Sequence, residues 1–246
     1  MRIRDILACT AHRPWPLPSG PWIVTQTWRN LLFAHWPVQA ADLRALVPRE
    51  LTLDTFEGQG WVAVAPFHMS DIRMRGTPAM PGLSSTPELN VRTYVTVEGK
   101  PGVYFFSLDA ANRTAVWAAR KFFYLPYFSA RMQVRDENGW IAYTSKRPDS
   151  SAEFSGRYRS VVPVSLRKPG TIEHWLTERY CLYTVRNGTT YRAEIHHQPW
   201  PLQDATAEIT TETMAAAAGI NLPGFPPLMH FSRCLKVVIW PLRRVC

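Results

Sequence analysis

Glu88-Leu-Asn-Val-Arg-Thr-Tyr-Val-Thr-Val97 is the stretch on which the fold reading turns. Leu89, Val91, Thr93, Val95 and Val97 fall on one face, and Glu88, Asn90, Arg92, Tyr94 and Thr96 on the other. That period of two is the signature of a β-strand. Gly99-Lys100-Pro101-Gly102 reads as a turn, and Val103 to Leu108 as the returning strand, so the pair is expected to form a hairpin. The polar face is either a solvated surface, as on many antiparallel sheets, or the lining of an interior.

Working outward, Trp61–Met69 is a valine- and aromatic-rich strand and Trp28–Trp36 an apolar run fit for a buried one. Residues 37–48 make a short helix stopped by Pro48. Asp109 is a candidate cap for a helix running to about Phe123, with Val116, Ala119, Phe122 and Phe123 on its buried face. Further strands are expected at 129–135, 140–145 (after an Asn138-Gly139 turn), 152–158, 192–197 and 234–240. Residues 171–179 read as a short helix, and 204–218 as another or as a mixed segment. Residues 1–21, rich in proline and tryptophan, read as an extended N-terminal arm. Many short strands with few short helices make a β-rich α+β fold, expected as a β-barrel core in one domain over residues 1–246.

Composition narrows the function classes. Hydrophobic residues make up 46% of the 246, enough for a sizeable core, and charged residues only 19%, which argues against disorder. The net charge of +9 invites a nucleic-acid reading, but the cations are scattered with no run of five or six like charges, and only five of 28 are lysines, so nucleic acid is not expected as a partner. Cys9, Cys181, Cys234 and Cys246 lack metal-site or CxxC spacing and read as free thiols. No apolar stretch approaches a membrane span, and the start lacks a signal peptide, so a cytoplasmic location is expected. Dinucleotide, P-loop, HExxH and GxSxG motifs are absent. His35 and His68 lie in apolar strands, and His196-His197 point to opposite faces of one; no metal and no cofactor is expected.

Several segments, in order along nearly the whole chain, resemble the YqjF-like family (domain of unknown function 2071). They include Leu31-Leu-Phe-Ala-His-Trp36, Trp61-Val-Ala-Val-Ala-Pro-Phe67, Glu88–Val95, Gly102-Val-Tyr-Phe-Phe-Ser-Leu-Asp109, Ala119-Arg-Lys-Phe-Phe-Tyr-Leu-Pro-Tyr127 and His196-His-Gln-Pro-Trp-Pro-Leu202. That family is similar in fold to acetoacetate decarboxylases, which implies an antiparallel β-barrel with short peripheral helices. In those enzymes an arginine precedes a Pro-Lys-Lys run whose first lysine forms a Schiff base. Here Arg120 and Pro126 match, but Tyr127 and Phe128 occupy the two lysine positions, so acetoacetate decarboxylation is not expected.

The resemblance turns the polar face of 88–97 inward. Glu88, Arg92 and Tyr127 become candidate catalytic residues, and Asn90, Tyr94, Arg120 and His68 candidate ligand-binding ones. A carboxylate, a guanidinium and a phenol can orient an anionic or carbonyl compound and move a proton. Glu88 and Arg92, four apart on a strand, stand roughly 13 Å apart at about 3.3 Å per residue, and so bracket a space. The expected function is binding of a small carbonyl or carboxylate ligand. The alternatives are a lyase- or hydrolase-type enzyme using those three residues and an oligomeric structural scaffold, and a homo-oligomer is compatible with each. One consequence is testable at once: borohydride reduction in the presence of pyruvate or acetoacetate leaves the protein's mass unchanged, and a stable adduct on Lys121 or Lys236 would overturn the reading.

Overall fold

A computed structural model describes residues 2–78, 84–224 and 228–245. The long strands are β1 (Val24–Val38), β3 (Gly60–Met74), β4 (Thr86–Val97) and β5 (Lys100–Ala110), with a two-residue β2 (Thr52–Leu53). They are followed by β6 (Tyr127–Ser129), β7 (Arg131–Glu137), β8 (Trp140–Lys146), β9 (Glu153–Ser160) and β10 (Cys181–Arg186). The last four are β11 (Thr189–His196), β12 (Gln203–Glu212), β13 (Leu228–Ile239) and β14 (Arg243–Val245). Among the described residues the α-helices are four and short: α1 (Ile3–Ala8), α2 (Ala40–Leu46), α3 (Arg113–Phe123) and α4 (Ile172–Thr177). None of the described helices is long and apolar enough to cross a membrane.

Pairing runs in a circuit from β1 through β3, β4, β5, β10, β11 and β13 back to β1. The circuit is not disposed evenly round one axis, so the expected regular barrel reduces to a β-rich fold with short helices. It is not wholly antiparallel either, because β5 meets both β10 and β6 in parallel. Inside the circuit, Phe33, Phe67, Tyr94, Leu108, Leu182, Trp200 and Val237 form one core, and Leu176 of α4 packs with them. A second sheet, β7-β8-β9-β12, is joined to β13 and covers the outer face of β1, β3 and β4. There Leu32, Ala34, Val62, Val64, Leu89 and Val91 pack on Ile141, Tyr143, Phe154 and Tyr158. The wall β1-β3-β4 is therefore buried on both faces, which is why Leu31–Trp36 and Trp61–Phe67 read as unbroken apolar runs.

Several expectations need correcting. The β4–β5 turn is Glu98-Gly99, both at positive φ (51° and 71°), and Lys100 to Gly102 already belong to β5. This is the backbone twist that two-residue hairpins favour, reached without the usual Asn-Gly or Asp-Gly pair. Asp109 caps nothing: β5 continues through Ala110, and the Asn112 side chain caps α3 by accepting from the Ala115 amide at 3.0 Å. Phe122 lies on the outer face of α3 and is 60% exposed. Residues 204–218 are mostly strand, because the run Ile209-Thr210-Thr211 favours extended backbone; a single 3-10 turn at Ala216–Ala218 follows. The N-terminal arm opens with α1, whose Ile6 packs on Val238 and Trp240. Among the described cysteines Cys9, Cys181 and Cys234 are free thiols, while Cys246 lies outside the described residues.

Gly102 marks the closest approach of β5 to β10. A Cβ there would sit 2.6 Å from the Cys181 carbonyl oxygen and 2.6 Å from the Tyr183 ring. Backbone cannot yield as a side-chain tip can, so Gly102→Ala is expected to cost about 1–3 kcal/mol in denaturant melts. An unchanged midpoint would show that this junction is loose.

Candidate functional site

Because the β1-β3-β4 wall is covered on its outer side, the polar row of β4 is buried on the inner one. Glu88, Asn90 and Arg92 are 4%, 4% and 8% exposed, and Tyr94 is fully enclosed. Cross-strand register explains how such bulky groups fit. Asn90 and Arg92 lie opposite Ala65 and Ala63, the two smallest side chains on the inner face of β3, while Glu88 lies opposite Phe67. The parallel pairing of β6 sets Tyr127 beside inward-facing Leu108, itself the partner of Asn90. From there the Tyr127 hydroxyl donates to Glu88 Oε2 at 2.6 Å.

Glu88 is the group whose ionisation the fold alters most usefully. Burial pushes its carboxyl up to about 7. The hydrogen bonds from Tyr127 and Asn90 and the charge of Arg92 oppose the rise, and the charge of Asp109 adds to it. The Tyr127 phenol is held well above its ordinary range by burial and by the neighbouring Glu88 charge, so it remains a donor. Arg92 stacks over Phe33 at 5.0 Å; its buried Nε has no hydrogen-bond partner, and it forms no ion pair among the described residues. The buried Oδ1 of Asn90 is also unpartnered. Removing a guanidinium from water costs several kcal/mol, and Arg92 is met only by the Tyr94 hydroxyl and by a Glu88 carboxyl that burial holds partly protonated, so its charge is incompletely balanced.

Tyr94 lies deeper in the same interior. Its hydroxyl is 2.7 Å from Nε2 of His35, whose imidazole burial and Arg92 hold well below the usual range and hence neutral. Arg179 lies over the Tyr94 ring at 5.0 Å and donates to Asp54 at 2.5 Å. Behind the wall, buried Asp109 accepts from Arg147 Nε at 2.8 Å and places a carboxylate near Glu88 from the outer side. No sequence signal links Asp109 to Arg147, 38 positions away.

Two candidates lie elsewhere. His68 is turned outward by the alternation that points Phe67 and Met69 in, and it bonds Ser85 Oγ at 2.7 Å near the surface. Arg120 sits on the exposed side of α3 and reaches the interior only indirectly, its Nε donating to the Tyr127 carbonyl at 2.5 Å. Two surface hollows, of about 410 Å³ at the end of α3 and about 620 Å³ against β7 and β8, include none of Glu88, Arg92 and Tyr127. The interior group is thus nearly enclosed, and its lysine count is zero. Lys100 and Lys146 pair with Glu194 and Glu153, Lys121 and Lys168 are exposed, and Lys236 sits between the inward-facing Leu235 and Val237.

A family profile for uncharacterized conserved proteins, DUF2071, matches residues 25–236. The chain belongs to that family. It is 49% identical to the uncharacterized protein YqjF of Bacillus subtilis over 229 residues, 93% of this chain and 95% of that one. In three dimensions it is similar to acetoacetate decarboxylase from Legionella pneumophila, with a TM-score of 0.65 at 13% identity, covering 98% of this chain and 95% of that one. It is also similar to the enduracididine biosynthesis enzyme MppR complexed with pyruvate, with a TM-score of 0.64 at 9% identity and coverage of 94% and 93%. At such identities the likeness is one of fold.

The Glu88 shift carries a sign that can be measured. Below pH 4.5 the carboxyl is protonated in both the folded and the unfolded chain. Between 4.5 and about 7 the unfolded chain loses that proton while the folded one keeps it, so stability falls as pH rises, by up to roughly 3 kcal/mol. Glu88→Gln retains an oxygen for Tyr127 and has nothing to titrate. Its stability advantage over the parent is expected to be absent below pH 4.5, to grow between 4.5 and about 7 and to be complete above that in urea melts. An advantage independent of pH would mean that Glu88 is not desolvated.

Proposed function

We propose that the interior face of β4 binds a small 2-oxo carboxylate, with Arg92 taking the carboxylate and the Glu88–Tyr127 pair exchanging a proton with the carbonyl-bearing part. The observation that carries this reading is Arg92, a buried guanidinium with no ion pair among the described residues, on the same face as a carboxyl poised near neutrality. A carboxylate ligand would supply the missing charge, and a bidentate Arg–carboxylate contact is among the strongest available. Near-closure of the group favours a compound of few atoms. The pyruvate bound by MppR, a protein of similar fold, supports the same chemical class. Lack of a lysine leaves general acid–base chemistry in place of an imine: Glu88 near 7 can accept a proton from a carbon beside a carbonyl, and the Glu88 acid so formed donates to the Tyr127 oxygen, which frees the single Tyr127 O–H to donate to the oxygen where charge develops.

The test compares pyruvate with the neutral pyruvamide in thermal melts. Pyruvate raises the midpoint and pyruvamide does not; Arg92→Met, which keeps the packing on Phe33, abolishes the difference. Equal effects of the two compounds, or an undiminished effect in the Arg92 variant, would sink the binding reading. Deuterium incorporation into the pyruvate methyl group, seen with the parent and lost in Glu88→Gln, tests the proton-transfer step separately.

A further inference from the structure

The hollow of about 410 Å³ at the C-terminal end of α3 is ringed by Arg120, Lys121 and Arg186, and no carboxylate lines it. Each cation rests on a neutral partner. Arg120 donates to the Tyr127 carbonyl, Lys121 Nζ lies 4.9 Å from the Trp117 ring centre, and Arg186 stacks over Tyr124 at 4.3 Å. None of the three forms an ion pair among the described residues, whereas Arg157 and Arg192 on other surfaces pair with Glu208 and Glu98. The end of α3 offsets this charge by only about half a unit of negative dipole, so three full cations dominate the hollow.

The backbone around the hollow is unusual as well. Tyr124, which lines it, sits at φ 52° and ψ 32°, the left-handed region where glycine normally ends a helix. The strained turn is held by the Thr184 hydroxyl donating to the Tyr124 carbonyl at 2.8 Å. It turns the Tyr124 ring under Arg186 and aims the chain so that Leu125 and Pro126 form an apolar floor. Three cations without an ion pair among the described residues suit a phosphate group, which carries about two negative charges, better than a singly charged carboxylate, and the apolar residues beside them suit an organic body attached to it.

We infer that this hollow is a binding site for the phosphate group of an organic phosphate, whether a soluble phosphate ester or a lipid headgroup. The site is separate from the interior one and does not rest on it. The two share the segment 124–127, because Arg120 holds the carbonyl of the residue whose hydroxyl meets Glu88.

The experiment titrates the full chain with inorganic pyrophosphate by calorimetry, and in parallel measures sedimentation with phosphatidylcholine vesicles containing phosphatidic acid. Pyrophosphate binding is expected to weaken at least about tenfold in Arg186→Gln and in Lys121→Gln, both exposed positions whose melts report folding, and to stay unchanged in Arg157→Gln. Vesicle binding that pyrophosphate competes away assigns the phosphate to a lipid, and pyrophosphate binding without vesicle binding assigns it to a soluble ester. No pyrophosphate binding, or equal weakening in all three variants, overturns the site.

Discussion

Burial of the β1-β3-β4 wall on both of its faces is the constraint from which the rest follows. An ordinary antiparallel sheet would give its polar row to water, and Glu88, Asn90 and Arg92 would then carry no consequence. Here the second sheet takes up the outer face, and Tyr143 of that sheet donates its hydroxyl to the Glu88 carbonyl at 2.7 Å. The inner face has only the interior of the circuit to enter. Polar groups held there must find partners or remain costly, and Arg92 and Asn90 each keep an atom without one.

The charges around Glu88 pull against one another, and their balance gives the site its character. Desolvation and the nearby Asp109 carboxylate favour the neutral acid, while Arg92, Asn90 and Tyr127 favour the anion. Had burial acted alone the group would be locked in its protonated form, and with a close Arg partner it would be locked ionised. Asp109 has its own cation, Arg147, which works against the rise that burial imposes on its carboxyl. Tyr127, its phenol held protonated by burial and by the Glu88 charge, is the donor on that carboxyl.

Much of this was legible in the sequence and some was not, for physical reasons. The alternation of 88–97 and the apolar runs of β1 and β3 follow from a period of two and from two-sided burial, and both are local signals. The Asn187-Gly188 pair, with φ of 50° and 70°, is a hairpin signal of the strongest kind, yet the β10–β11 hairpin it joins was not anticipated. His68 was misplaced because a histidine inside an apolar strand does not declare its face until the register is counted from Phe67. Asp109 was read as a helix cap because its ion-pair partner is distant in sequence. The same holds for the pairing of His35 with Tyr94 and of Arg179 with Asp54, contacts that only the closed circuit creates. Tyr127 was reachable through resemblance alone, since nothing local tells that β6 pairs in parallel with β5.

The most direct measurement is the titration of Glu88 itself. Carbon-13 NMR of protein labelled at glutamate side-chain carboxyls, with Glu88→Gln to assign the resonance, reads its midpoint without reference to any ligand. The account predicts one carboxyl that titrates near 7 and disappears in the variant. A Glu88 midpoint in the ordinary range near 4.5 would show a solvated carboxylate, and the buried polar face on which the proposed binding site depends would be contradicted.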